Sequence, residues 1–218
     1  NTLTGSSYVL NPSSGTTHSI AAVLAGSGVT LTKSGAGTVT LTGANTYTGA
    51  TTISAGTLAL SGSGAIASSS GVAANGTFDI SGVTTSASIV TLSGSGTVTL
   101  GGKLLTITNG STTFSGAIGG TGGQLTISGG TETLSASSGY TGVTTISTYT
   151  GLTSITGGTL TLDQAGTTTG TVIADTAAIT INGGTLALND ATETVGTVTL
   201  TSGSITVGTT GNTLTGSS

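Results

Sequence analysis

The sequence predicts an all-β fold, a parallel β-helix (β-solenoid) with coils of roughly 20 residues. Three observations predict this fold. Aliphatic residues alternate with threonine in short segments bounded by glycine, as in half-buried strands. These segments recur about every 20 residues, which is typical of stacked coils. Only 4% of the residues are charged and 3% are aromatic, which favours narrow aliphatic layers over a globular core.

The composition indicates a folded chain that is rich in strands. Of its 218 residues, 40 are glycine, about a quarter are threonine and 34% are hydrophobic, and the mean hydropathy is +0.39. Disorder requires low hydrophobicity or a high net charge, whereas this chain is hydrophobic and has a net charge of only -4. Residues that favour helices, such as glutamate, lysine and methionine, are scarce or missing.

Charge and hydropathy exclude several classes of partner. Lys33 and Lys103 are the two basic residues, too few to form a phosphate-binding surface, so we expect no nucleic-acid partner. The longest apolar run, residues 20–25, is far shorter than the roughly 20 residues that cross a bilayer, so we expect no membrane span in this segment. The chain has no cysteine and therefore no disulfide.

The shortest repeat is a glycine followed by threonine, an apolar residue, threonine and a second apolar residue. Its copies have their first threonine at Thr38, Thr57, Thr77 and Thr97, so they follow one another at nearly equal spacing. Because alternate side chains of a strand point to opposite faces, we expect the apolar residues to share a core and the threonines to face outward. The predicted core residues are Val39, Leu41, Leu58, Leu60, Phe78, Ile80, Val98, Leu100, Leu160, Leu162, Leu186, Leu188, Val198 and Leu200.

Glycine and asparagine between the strands mark the predicted corners of the coils. We expect these corners to use positive φ angles, which glycine and asparagine tolerate better than other residues. The predicted corner residues are Gly43, Gly49, Gly62, Asn75, Gly76, Asn109, Gly110, Asn182 and Gly183.

A longer repeat aligns residues 38–54 with residues 131–147 without gaps. Tyr47 falls on Tyr140 in this alignment. After it, the second copy has a short insertion, around residues 148–156, which we expect to bulge from one coil as a loop.

The same alignment puts Glu132 where Val39 stands, on the apolar face. Either that strand is out of register, or it bends at a corner, or the carboxylate has a buried partner. We favour a register error or an exposed corner.

The two ends of the chain carry the same sequence, reading Asn-Thr-Leu-Thr-Gly-Ser-Ser at 1–7 and at 212–218. A chance match of this length is rare even in a sequence of biased composition. We therefore expect a tandem array in which residues 1–211 form one solenoid unit and residues 212–218 begin the next identical unit. We expect Tyr-Val-Leu-Asn-Pro, as at 8–12, to follow Ser218.

Residues 31–60 read LTKSGAGTVTLTGANTYTGATTISAGTLAL. This segment closely resembles the autotransporter-associated β-strand repeat of bacterial autotransporter passenger domains. A second copy, residues 131–162, keeps Tyr140-Thr141-Gly142 but lacks the asparagine. The matching elements of the first copy are Gly35-Ala36-Gly37-Thr38, Leu41, Asn45-Thr46-Tyr47-Thr48-Gly49, Thr51-Thr52-Ile53 and Gly56-Thr57-Leu58.

The resemblance implies a right-handed parallel β-helix, export to the cell surface, and a role in adhesion, aggregation or display. The repeat is a structural element, so the resemblance brings no catalytic residues with it.

No catalytic, cofactor-binding or metal-binding residues are predicted. His18, the one histidine, lies in a polar segment that predicts a surface turn with no carboxylate nearby in sequence. The six acids are scattered, and Asp190 and Glu193 fit a solvated loop better than a calcium site. Tyr47 and Tyr140 are the candidate surface contacts, for carbohydrate or a neighbouring chain, with a half-buried corner position as the favoured alternative.

The predicted function is a structural or adhesive segment of an extracellular fibre or stalk on a bacterial surface protein, without catalysis and without a cofactor. Its predicted partners are copies of itself, end to end as tandem units and side by side as bundles, and carbohydrate of a cell surface or matrix. Low charge favours bundling, because repulsion between like-charged rods is weak.

Two other functions remain open at this point. One is ice binding, because flat ranks of threonine could order water. The other is a β-helix enzyme that processes polysaccharide, which a cluster of acids on one face would support. The threonine ranks occur at Thr38/Thr40, Thr97/Thr99, Thr159/Thr161 and Thr197/Thr199.

Overall fold

The computed structural model describes residues 1–120, 123–135, 153–156, 159–163, 178–189, 192–208 and 213–216. Within these ranges the chain forms 24 strands and no helix, so the described part has no helix that could cross a membrane. All the strand pairs are parallel. They stack as a β-solenoid of about eight turns, which confirms the predicted fold class. The right-handed sense of winding stays a prediction.

The strands are short because each coil gives one short segment to each sheet. In chain order they are β1 (Thr2–Thr4), β2 (Ser7–Leu10), β3 (Thr17–Ile20), β4 (Val23–Ala25), β5 (Thr30–Lys33), β6 (Thr38–Leu41), β7 (Thr51–Ile53), β8 (Thr57–Gly62), β9 (Val72–Ala74), β10 (Thr77–Val83), β11 (Ser86–Ile89), β12 (Leu92–Ser93), β13 (Thr97–Thr99), β14 (Leu104–Ile107), β15 (Thr113–Phe114), β16 (Ala117–Gly119), β17 (Gln124–Ile127), β18 (Thr131–Ser135), β19 (Thr153–Ile155), β20 (Thr159–Asp163), β21 (Ile179–Asn189), β22 (Thr192–Val195), β23 (Val198–Val207) and β24 (Thr213–Gly216).

Three sheets contain most of these strands. Sheet A has the order β3-β6-β8-β10-β13-β16, and sheet B has the order β2-β5-β7-β9-β12. Sheet C has the order β11-β14-β17-β19-β21-β20-β18-β15, with β23 paired to β21, while β1-β4 and β22-β24 form separate pairs.

The length of one coil changes along the chain. In sheet A, Thr38 lies under Thr57 and Thr77 lies under Thr97, which agrees with the predicted period of roughly 20 residues. In sheet C, the residue stacked on Leu125 is Thr153, a clearly longer step. The predicted period therefore holds in sheet A and is exceeded at this step of sheet C, whereas Thr192 and Thr213 are again about one predicted period apart.

The core consists of aliphatic columns in which one side chain from each coil lies on the next. Val39, Leu58, Phe78 and Val98 are in register in sheet A, and each is at most 2% exposed. Each such side chain contributes roughly 1.5–3 kcal/mol when it is removed from water. Burial confirms the predicted core at Val39, Leu41, Leu58, Leu60, Phe78, Ile80, Val98, Leu100, Leu160, Leu186 and Leu188.

The predicted core fails in the last described coils. Leu200 is 49% exposed and Val198 is only partly buried, although both are in register with the buried Ile179 and Ile181 of β21. Their predicted burial is wrong within this chain because β23 has a described partner on one side alone. The side chain of Leu162 lies outside the described part of the chain.

Glycine recurs at the corner before sheet A because neighbouring coils approach too closely there for a side chain. A Cβ atom on Gly76 would lie 2.6 Å from the carbonyl oxygen of Gly56, and one on Gly96 would lie even closer to that of Gly76. The prediction that the corners use positive φ holds for Gly62 and Gly183, at 62° and 101°. It is wrong for the other predicted corner glycines, which lie in close contact with a neighbouring coil instead.

The insertion in the second copy of the longer repeat does more than form a loop. β19 (Thr153–Ile155) pairs with β17 and β21, and Ile155 is fully buried. The prediction of a bulge is therefore wrong for residues 153–155, which add a strand to sheet C because Ile155 fits its aliphatic column. Residues 148–152 lie outside the described residues.

Candidate functional sites

Asn45 lies inside the solenoid, where its side chain joins three successive coils. Its Oδ1 atom accepts a hydrogen bond from the backbone N–H of Leu24 in the preceding coil, at 2.9 Å. Its Nδ2 group donates to the carbonyl oxygens of Gly43 in its own coil and Ala65 in the next, both at 2.9 Å. Asn45 is 4% exposed, and these three bonds offset the cost of burying an amide.

Two residues further on, Tyr47 begins a chain of buried hydroxyl groups. Its Oη atom lies 2.6 Å from Oγ1 of Thr51, which lies 2.9 Å from Oγ of Ser69. The Ser69 hydroxyl reaches the carbonyl oxygens of Gly49 and Gly71, at 2.9 and 3.1 Å. Burial raises the pKa of Tyr47 to about 12, although the hydrogen bonds with Thr51 and Ser69 act in the opposite direction. All three hydroxyls are thus engaged within the protein.

Tyr47 is therefore part of the core and not a surface contact. Its side chain is 1% exposed and meets Tyr8 edge to face, with ring centroids 6.2 Å apart. Both predicted positions, at the surface and at a half-buried corner, are wrong for Tyr47. Strand-like alternation continues through residues 41–47 and turns every second side chain inward, and this signal was present in the sequence. Tyr140 lies outside the described residues.

Glu132 is a buried acid in an aliphatic column. It pairs with Leu160 and is 0% exposed. Its Oε2 atom lies 3.3 Å from Oγ1 of Thr112, and the Thr112 hydroxyl donates to the carbonyl oxygen of Leu92. Burial raises the pKa of Glu132 to about 8, although hydrogen bonds with Thr112 and with backbone groups of Leu92 and Thr112 act in the opposite direction. The carboxyl group is therefore mostly protonated at neutral pH.

The favoured interpretation of Glu132 from the sequence is wrong. Its strand is in register, because Leu134 pairs with Leu162 two residues further along. The position is not an exposed corner either, because the whole side chain is buried. The remaining interpretation, a buried carboxyl group with a partner, is the one that the structure supports.

Lys33 is a second buried ionisable group, which the sequence presented only as one of two basic residues. It stands in register between Leu10 and Ile53 and is 0% exposed. Its Nζ atom donates to the carbonyl oxygens of Gly35 and Ala55, so it joins two successive corners. Burial lowers the pKa of Lys33.

Of the other candidate residues, the two whose side chains the structure describes, His18 and Asp79, do not form a site with Glu132. His18 lies in β3 in register with Val39, and it is exposed as predicted but not in the predicted turn. Asp79 accepts a hydrogen bond from the backbone N–H of Ser81 at 2.8 Å, in sheet A, whereas Glu132 lies in sheet C. Among the described residues there is no group of three or more metal-ligating side chains. The described side chains do not include those of Asp163, Asp175, Asp190 and Glu193.

The outward face of sheet A carries a column of threonine hydroxyls, formed by the residues in register with Thr57. A second column, two residues further along each strand, is interrupted by Ala59 and Asp79. Two coils without a threonine in this second column therefore separate the rank Thr38/Thr40 from the rank Thr97/Thr99. This interruption breaks the regular array that ice binding would need. The first column consists of Thr17, Thr38, Thr57, Thr77 and Thr97.

Stacked coils, buried polar bridges between them and hydroxyl columns outside define a repetitive parallel β-solenoid. Residues 31–60 and 147–162 match the family model of the passenger-associated-transport-repeat. The first match covers the segment that carries Asn45 and Tyr47, and the resemblance to the autotransporter passenger repeat is confirmed. The repeat family implies a secreted or cell-surface protein. No curated protein and no solved structure matches the chain.

Proposed function

We propose that the chain is a non-catalytic segment of an adhesive or structural rod on a bacterial cell surface. Its sides bind other rods, or carbohydrate of a cell surface or matrix, through ranks of hydroxyl groups. The rod itself holds these surfaces at a distance from the cell. With about eight turns and a rise of about 4.8 Å per turn, the rod formed by this chain would be about 40 Å long.

One observation carries this proposal: the polar residues of the passenger repeat are used to hold coils together. Asn45 bridges three coils, and the Tyr47 hydroxyl chain ends on backbone carbonyl oxygens. A residue whose hydrogen bonds are all internal cannot recognise a substrate without breaking the fold. The repeat motif therefore supports a role in building length rather than in chemistry.

The outer surface supports a contact role that does not depend on charge. The chain has two basic and six acidic residues among 218, and threonine and serine occupy the outward positions of sheet A at most coils. Hydroxyl groups can donate and accept hydrogen bonds, so such a surface can meet carbohydrate or a second rod without exact charge matching.

The proposal can be tested by removing one coil in register. Thr77 lies directly under Thr97, so deleting residues 77–96 removes one coil and joins equivalent corners. On intact cells of the source bacterium, we expect this protein to remain labelled by antibody and to support adhesion or cell–cell aggregation close to the parental level. Deleting residues 77–86, which breaks the register, is the matched control and should abolish both. Loss of adhesion by a fully displayed in-register variant would contradict the proposal, because it would indicate a local site in that coil.

A further inference from the structure

We propose that a second copy of this unit, following in the same polypeptide, continues the solenoid without a break, so that successive units form one uninterrupted rod. This inference rests on the proposed function as a rod segment and names the partner at its ends. It depends on the sequence that occurs both at residues 1–7 and at residues 212–218. One such segment would serve both as the last strand of one unit and as the first strand of the next.

The two copies of this sequence form strands that use opposite edges. β1 (Thr2–Thr4) pairs with Val23–Ala25, in the coil that follows it. β24 (Thr213–Gly216) pairs with Thr192–Val195, in the coil that precedes it. Each copy therefore leaves free, among the described strands, the edge that the other copy uses. A single strand can make both sets of parallel hydrogen bonds at once.

The register of the two pairings is compatible with one continuous stack. Thr2 lies opposite Val23, and Thr192 lies opposite Thr213, so the step along the chain has the same length at both ends. Thr213 is the counterpart of Thr2. In the continuous stack, β22 of one unit would therefore pair with the shared strand, and the shared strand would pair with β4 of the next unit. Both steps are close to the roughly 20 residues of a coil in sheet A.

Most of the large apolar side chains that are exposed in this chain lie where such a junction would bury them. Three exposed large hydrophobic residues, Leu3, Leu200 and Val207, are in register with the buried Leu24, Ile181 and Leu188, so they occupy core columns. The fourth, Val9, pairs with Thr32 on the outward face and belongs to the side of the rod. The partly buried side chains packed against the core lie in the same end coils and are Leu10, Ile20, Val198, Ile205 and Leu214.

The first coil also leaves an opening into the core. A concavity of about 430 Å³ is lined by Leu10, His18 and Ile20, and Val39 of the next coil forms part of its wall. Val39 is otherwise a core residue, 2% exposed. A coil placed on this end would fill the opening and turn the surface into an ordinary core layer.

The shared strand fixes where the following residues should lie. If the residues after the shared strand keep the register of Thr192 and Thr213, Tyr8 of the second copy lies over Val198. Leu10 of the second copy then lies over Leu200. Tyr8 is an inward-facing residue, 6% exposed, paired with the buried Leu31. At Tyr8 and Leu10 of the second copy, inward residues would thus meet the core-column residues Val198 and Leu200, as they do between coils within the unit.

The test compares the 218-residue chain with a two-unit chain in which residues 1–211 are followed directly by residues 1–218. We expect small-angle X-ray scattering to show one straight rod about 40 Å longer than the single unit. We also expect a single thermal transition, several degrees above that of the single unit, because each unit then has one open end instead of two. Two units joined by a bend, or a melting temperature equal to that of the single unit, would overturn the proposal.

A substitution at the shared strand sharpens the test. Leu3→Asp in the single chain should shift the melting temperature by no more than about 2 °C, because Leu3 is already 51% exposed. The same substitution at the junction of the two-unit chain should split the thermal transition and open the junction to a non-specific protease. Val9→Asp in the second unit is the matched control and should leave the rod intact, because Val9 faces outward. Equal effects of Leu3→Asp in both chains would rule out a buried junction.

The experiments distinguish a failure of this inference from a failure of the proposed function. A continuous two-unit rod that is not displayed on cells would refute the surface role and leave the junction standing. Displayed, adhesive protein whose two units bend at the junction would refute the inference and leave the surface role standing.

Discussion

The Thr112 hydroxyl and the Glu132 carboxyl group lie 3.3 Å apart in adjacent coils, where Glu132 is fully buried. Oγ1 of Thr112 lies within hydrogen-bond distance of both the carbonyl oxygen of Leu92 and the Glu132 carboxyl group, so its single proton has two possible acceptors. Burial still favours the neutral carboxyl group and raises the pKa of Glu132 to about 8, although the hydrogen bond with Thr112 acts in the opposite direction.

The first prediction is that Glu132 makes the fold less stable as the pH rises from about 4.5 to about 8. Burial raises the pKa of this carboxyl group from its ordinary value of 4.5 to about 8 in the folded chain. Below pH 4.5 the folded and unfolded states are both protonated and the stability is fully present, and between the two values only the unfolded state loses its proton. The free energy of unfolding should therefore fall by up to about 1.4 kcal/mol per pH unit from this group.

Glu132→Gln removes this dependence, because glutamine stays neutral and its amide oxygen can still accept a hydrogen bond from Thr112. Denaturation curves at pH 5 and pH 8 should give similar midpoints for both proteins at pH 5 and a clearly higher midpoint for the variant at pH 8. A difference in midpoint between the unmodified chain and the variant that is the same at pH 5 and pH 8 would contradict a buried titrating carboxyl group.

The alternation of apolar residues and threonine was enough to predict the columns of sheet A, because strand geometry alone decides which side chains face inward. It failed at Tyr47 and Glu132 because these polar residues, in the inward half of the alternation, were assigned to the surface or to a corner by their chemistry. Whether a buried polar group has a partner depends on the residues one coil away, and Thr112 is 20 residues from Glu132. The sequence alone does not show that Thr112 and Glu132 are neighbours in space, because this depends on how the coils are aligned.

The corners show a second limit of sequence-based prediction. Glycine was expected there for its freedom at positive φ, but Gly76 and Gly96 are needed because the next backbone leaves no room for a Cβ atom. Both reasons give the same sequence pattern, and only the distance between neighbouring coils distinguishes them.

The second prediction concerns this close approach. Gly76→Ala would place a Cβ atom 2.6 Å from the carbonyl oxygen of Gly56, so neighbouring coils must separate, at a cost of about 1–3 kcal/mol. Gly5→Ala is the matched control, because its Cβ atom would lie 3.5 Å from the Tyr8 ring, an ordinary contact. Thermal denaturation followed by circular dichroism should show a lower midpoint for Gly76→Ala alone. Equal midpoints for the two variants would show that the corner is not as tight as described.

The third prediction concerns Asn45. Asn45→Ala removes three hydrogen bonds and leaves the buried N–H of Leu24 without its partner, which should cost at least about 1–3 kcal/mol. Thr46→Ala is the control, because Thr46 is exposed and keeps its backbone hydrogen bond to Leu24. Its effect should be within about 0.5 kcal/mol. Chemical denaturation of both variants measures the difference, and a small effect for Asn45→Ala would show that the amide does not hold the coils together.

The fourth prediction is that side-by-side association of the rods depends little on salt. Two basic and six acidic residues on 218 give few like charges to be screened, so contacts between rods rest on hydroxyl groups and apolar surface. Light scattering at about 0.01 M and about 1 M salt should show similar bundling, although the Debye length changes from about 30 Å to about 3 Å. Replacing Thr57 and Thr97, both on the outward face of sheet A, by lysine should make bundling weak at low salt and restore it at high salt. Rods of the unmodified chain that stay monodisperse at both salt concentrations would contradict bundling, and bundling that disappears at one of them would contradict contacts based on hydroxyl groups.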